Sequence, residues 1–185
     1  MGKKFGREKA RGLAARAHRS VTTEGFTVAS IDAPGHGDRP RNAQDQHWVA
    51  DLLEARAAGQ PLGPILTDYN GSLAERAVPE WRATIDALQA LPEIGADAPI
   101  GYTGMTLASA IGLPLAAADS RIAAAVFGGV FTYPALFDAA SRITIPIEFL
   151  LPWDDAEIGR HHGPRIVRRR RLGGEGAACI PRWAS

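Results

Sequence analysis

A single cysteine, Cys179, in 185 residues rules out an intramolecular disulfide, and a reducing, cytoplasmic setting is the expectation. No uninterrupted apolar run approaches the roughly 20 residues that a spanning helix needs, so no membrane span is expected. Metal chemistry finds little support. "HH" at 161–162 lacks the i, i+4 spacing and carboxylate companions of a zinc helix, and there is no cysteine pair. Neither a G-x-G-x-x-G nor a P-loop pattern occurs, so no nucleotide or other cofactor is expected. Acid is scarce at both ends. Residues 1–20 hold seven Lys or Arg against Glu8, and residues 160–185 hold seven Arg against Glu175. The overall charge of +1 therefore hides a middle of net −11 between two ends of +6 each.

What remains is ordinary for a globular protein: 45% hydrophobic and 22% charged residues, enough chain for one domain with a sizeable core. The basic leader has no apolar stretch behind it to act as a secretory signal, although its low acid content is also that of organellar transit segments. We divide the chain into a leader with a possible helix (1–21), an α/β domain (22–158) and an Arg-rich tail expected to be disordered (159–185). No internal repeat is visible.

Along the domain, Phe26–Ile31 is β-prone and ends at the glycines of "PGHG". Such a run fits a strand of a parallel sheet covered on both faces. Residues 43–58 suggest a helix with Trp48, Leu52 and Leu53 inward. "GQPLGPILTDYNGS" reads as a loop. Residues 73–91 have helical spacing through Trp81, Ile85, Leu88 and Leu91, with a kink or restart at Pro79. A strand at 99–102, a helix at 106–118, a strand at 122–127, a helical link at 134–140 and a strand at 146–151 complete the alternation. This order predicts an α/β fold with a mainly parallel sheet and functional residues at the carboxyl ends of its strands.

Three strand ends, "SIDAPGHGDRP", "IGYTGMTLASAIG" and "ITIPIEFLLPWDDAEI", stand in the order and separation of the α/β-hydrolase family. Over residues 22–158 the chain resembles bacterial esterases and dienelactone hydrolases. The resemblance implies an incomplete α/β-hydrolase-like sheet flanked by helices and a carboxylic-ester hydrolase. It aligns Gly104, Thr106 and Ala108 with the G-x-S-x-G nucleophile elbow, a sharp strained turn that exposes the attacking oxygen. It makes the Leu107 backbone N–H an oxyanion donor and Asp155 the acid, favoured over Asp154 because Ile158 then fills an apolar place.

The departures are as informative. A threonine can attack when a base activates it, but its β-branched side chain must occupy a strained backbone position. Ser109 and Thr103 are hydroxyls without the family spacing. His161 and His162 follow the acid closely and are poorly placed to reach a nucleophile on another strand. His36 is expected to bond locally in the PGHG turn, and His18 and His47 fall on presumed helices. No strand or H-G-G-type oxyanion loop precedes residue 22. The expected activity is therefore impaired or lost, the chain being a possible pseudoenzyme.

The alternative is a non-catalytic protein that binds a small ester or acyl-like ligand, or a partner, with basic arms at its ends. Nucleic acid is not an expected partner, whereas self-association through exposed sheet edges is. The tail's composition fits either an arm for an anionic surface or a reading frame shifted near residue 160, which translation of the gene's other two frames would reveal.

Overall fold

The structure is a computed structural model that describes residues 6–151, with side chains from residue 12 onward. The described backbone falls into two compact units that divide between Arg41 and Asn42.

In the first unit, helix α1 (Gly6–Glu24) leaves Leu13 and Val21 exposed. The chain then runs without regular structure into the PGHG turn. Here the structure corrects the sequence reading, because Phe26–Ile31 is not a strand. A β-prone run becomes a strand only when a ladder partner takes up its backbone groups. No such pairing exists among the described residues, and Phe26 and Val28 stand exposed. The PGHG turn is tight. The His36 N–H donates to the Ala33 carbonyl at 2.9 Å, and Gly37 has φ 61° with the Asp32 carboxylate where a Cβ would sit.

The second unit starts with α2 (Ala43–Ala57), whose N-cap Asn42 accepts the Asp45 N–H at 2.7 Å, satisfying one orphan donor of the first turn. Helix α3 (Gly63–Gln89) begins much earlier than its polar "TDYNGS" suggests. Tyr69, Asn70, Leu73, Ala74, Ala77 and Ile85 form a buried stripe at helical spacing, and this burial outweighs the turn propensity of Asn70, Gly71 and Ser72. Helix α3 also continues through Pro79.

Strands β1 (Ile100–Met105), β2 (Ile122–Gly128) and β3 (Ile147–Leu150) form a parallel sheet in the order β1-β2-β3, connected through α4 (Leu107–Ala118) and α5 (Pro134–Arg142). These five elements lie within three residues of the bounds expected from sequence. Parallel neighbours require crossovers, which both helices supply.

Tyr102, Ala125, Phe127, Ile147 and Phe149 on one sheet face join Leu113, Leu115 and Leu136 in a continuous core. Trp81 of α3 meets the Tyr102 ring edge-on, with centroids 5.8 Å apart. On the other face Gly101, Thr103, Met105 and Ala124 are exposed.

Two ion-pair clusters fasten the helices. Asp45, fully buried, receives two hydrogen bonds from Arg76, at 2.6 and 3.1 Å, joining α2 to α3. Asp119, buried at the end of α4, receives the Arg121 guanidinium, which also reaches Asp86 of α3.

Candidate functional site at the β1–α4 junction

The sequence places one residue, Thr106, between β1 and α4, and the turn there is abrupt. Thr106 has φ 53° and ψ −115°, the one positive φ among the described non-glycine residues. This lies outside the main regions open to L-residues and is a true outlier for a β-branched side chain. Such conformations persist only where the surroundings over-determine them.

Three contacts do so. The Thr106 N–H donates to the Gly128 carbonyl at the end of β2, at 2.8 Å. The Thr106 carbonyl accepts the N–H groups of Ser109 and Ala110, at 3.0 and 3.1 Å, starting the helix. The Ser109 hydroxyl lies within 2.6 Å of the Gly104 carbonyl and 2.9 Å of the Gly128 carbonyl, and it accepts the Gly128 N–H at 2.9 Å.

Close packing explains the small residues. A Cβ on Gly104 would stand 2.8–2.9 Å from Ala108, and one on Gly112 would strike the Tyr102 ring. Helix α4 is thus pressed onto β1 at backbone distance, and the Tyr102 hydroxyl donates to the Ala108 carbonyl at 2.8 Å. Burial raises the phenol's pKa well above its ordinary value, so Tyr102 serves as a neutral donor.

Of the residues singled out from sequence, Thr106 is exposed at the junction, and Leu107 is the first residue of α4. The Leu107 N–H has no carbonyl partner within its own helix by helical geometry, and it lies at the helix's positive end. The Thr106 hydroxyl donates to the Met105 carbonyl at 2.8 Å. Among the described residues no hydrogen bond joins it to a histidine.

His36 Nδ1 lies 2.9 Å from the Pro34 carbonyl, the local bond expected of it. His47 pairs with Asp51 on α2 at 3.4 Å. Ser109 is fully buried with its hydroxyl engaged, which excludes it as an accessible nucleophile, and Thr103 is exposed on β1. Asp154, Asp155, Ile158, His161 and His162 lie outside the described residues. Among the described residues no group of three or more potential metal ligands occurs, and no helix is long and apolar enough to cross a membrane.

What the sequence reading missed was the bonding of Ser109, because a buried serine at the third position of a helix looks like any other small residue. It also missed the Asp45–Arg76 pair, whose members are 31 positions apart.

No family model and no curated protein matches the chain. Three solved structures do. A PEG-bound complex of a cold-adapted esterase from an Arctic intertidal metagenomic library is 23% identical, with a TM-score of 0.53 over 82% of this chain. Zinc-bound and native structures of a cold-adapted esterase from such a library are each 24% identical, covering 58% and 59% of this chain and 48% and 49% of theirs, with TM-scores of 0.47 and 0.48. The chain spans 58% of the length of the PEG-bound esterase. The three-stranded parallel sheet, its helices and this first likeness together make the fold an incomplete α/β-hydrolase-like one.

Proposed function

We propose that the β1–α4 junction is a nucleophile elbow and that the protein derives from carboxylic-ester hydrolases, with catalysis impaired or lost at Thr106. The observation that carries this reading is the strained backbone of Thr106 at a strand-to-helix turn. A turn needed only to reverse the chain would relax to glycine, or to an ordinary loop, at no functional cost.

Any residual chemistry would run through an acyl-enzyme: the Thr106 oxygen attacks the ester carbonyl, the Leu107 N–H faces the developing oxyanion, Asp155 orients a base that passes the threonine proton to the departing alcohol, and water then releases the acid and restores Thr106. A base must take the threonine proton, and the hydroxyl instead donates it to Met105 of its own strand. That bond supports impairment. It equally supports the second reading, in which the site binds an acyl-like ligand without turning it over.

Hydrolysis of short p-nitrophenyl esters by the wild type, Thr106→Ala and Thr106→Ser tests the proposal. Expected is a wild-type rate close to background and a gain with Thr106→Ser, whose oxygen lacks the crowding methyl. A wild-type rate clearly above background that Thr106→Ala leaves unchanged would remove Thr106 as nucleophile. A silent Thr106→Ser that still binds a short-chain acyl ester in ligand-observed NMR would favour the binding-only reading.

A further inference from the structure

We infer that Ser109 is a positioning residue for this turn: its hydroxyl fixes the geometry in which residue 106 meets the first amides of α4. The inference rests on the elbow reading and adds a residue to it. Ser109 is fully buried, on the third residue of α4, yet its side chain bonds backward to two strands. Its single proton serves one carbonyl at a time, with Gly104 the shorter at 2.6 Å and Gly128 at 2.9 Å, and its lone pair takes the Gly128 N–H at 2.9 Å.

The Gly128 carbonyl holds the Thr106 N–H as well. Both flanks of residue 106 are thereby tied to one point on β2. That point is itself confined, since a Cβ on Gly128 would collide with the Leu150 carbonyl and Met105. A strained φ/ψ pair between two such anchors cannot relax without breaking one of them, and the Ser109 hydroxyl is the anchor made by a side chain.

A thiol placed at residue 106 reports on this geometry without any esterase activity. In full-length protein carrying Cys179→Ser and Thr106→Cys, the rate of iodoacetamide alkylation is followed against pH, then repeated with Ser109→Ala and Ser109→Thr. A thiolate at a helix N-terminus titrates below the ordinary value of about 8.5. The expected result is a depressed midpoint in the parent, a rise toward about 8.5 with Ser109→Ala, and recovery with Ser109→Thr, which keeps the hydroxyl. Should Ser109→Ala not fold, Ser109→Cys replaces it, the buried second thiol being recognised by its resistance to alkylation.

An unchanged midpoint in a less stable Ser109→Ala protein would overturn the inference, leaving Ser109 a purely structural bond. Failure of Ser109→Thr to restore the midpoint would also count against it. A parent thiol that already titrates near 8.5 would instead defeat the elbow reading, so the two failures are told apart.

Discussion

Replacing Thr106 with glycine should stabilise the protein, the reverse of what Thr→Gly does at most positions. The strained backbone of a non-glycine residue costs on the order of 1–3 kcal/mol, and glycine reaches positive φ without a Cβ penalty. Against this relief stands the extra freedom of glycine in the unfolded chain, about 0.5–1 kcal/mol. The hydroxyl's bond to the Met105 carbonyl is also lost, but it is exposed to competing water and contributes little.

The net gain is about 1 kcal/mol, a rise in melting temperature of roughly 2–4 °C for a chain of this size. Thr106→Ala keeps the Cβ and so keeps most of the strain, and its stability should stay near that of wild type. Guanidinium unfolding with a common m-value separates the cases, since an altered m would signal a change in compactness rather than stability. A glycine variant no more stable than the alanine variant would refute the claim that Thr106 carries backbone strain.

Other substitutions and conditions have definite expected outcomes. Gly104→Ala would set a Cβ 2.8 Å from the Ala108 backbone and should cost about 1–3 kcal/mol by thermal melt, with Gly112→Ala at the upper end because the buried Tyr102 ring cannot withdraw. Arg76→Met should cost about 3 kcal/mol, the low end for a broken buried pair because part of Arg76 stays in water, and Asp45→Asn added to it should recover some of the loss. The Arg121 bonds hold the Asp119 carboxyl below its ordinary value of 3.8. The stability this lends is present above that pH and disappears as pH falls through the lower folded-state value. Acid unfolding of Asp119→Asn should therefore be shallower than that of wild type below about pH 4. Burial pushes the Tyr133 phenol up to about 12 from 10.0, so its contribution is complete below pH 10, lost as pH rises toward 12, and visible as delayed phenolate absorbance in the native protein compared with the unfolded one.

The parts of the fold legible in the sequence are those where local pattern and tertiary role agree. The strands "IGYTGM", "IAAAVFG" and "IEFL" are short apolar runs bounded by breakers, and α4 between the first two is apolar almost throughout because its first turns lie on the sheet and much of it is buried. Where the two levels disagree, the sequence misleads. Phe26–Ile31 has strand chemistry but no ladder to join among the described residues, and "TDYNGS" has turn chemistry but supplies part of a helix's buried stripe. Likewise Leu53, taken as inward-facing from its neighbours, is 60% exposed, while the charged Asp45 holds a place on the buried face of α2. The partner Arg76 makes that placement affordable, aided by the position of Asp45 in the first turn of α2, and the pairing itself is not announced within α2. The sharp strand-to-helix turn was legible by position, through Gly104 and Thr106, but the bonds that hold it were not.

The contact between Gly104 and Ala108 explains how the turn accommodates an alanine at 108, the position that the elbow reading aligns with a second glycine. The Ala108 methyl lies over the vacant side of Gly104, and a Cβ there would come within 2.9 Å of it. The backbone carbon and oxygen of Ala108 would stand still closer, at 2.8 Å, so residue 104 must remain glycine whatever stands at 108, and the Ala108 methyl uses the space that this leaves. The substitution at Ala108 is therefore accommodated without opening the turn, whereas the one at residue 106 is not: threonine adds a methyl in the conformation where L-residues are least at ease. A double variant, Gly104→Ala with Ala108→Gly, should accordingly recover little of the stability lost by Gly104→Ala alone, because the backbone carbon and oxygen of residue 108 stay 2.8 Å from the new Cβ, as read in a double-mutant cycle. If the double variant instead regains most of the loss, the methyl and not the backbone of residue 108 limits the approach, and the backbone-distance packing that supports the elbow reading would lose its basis.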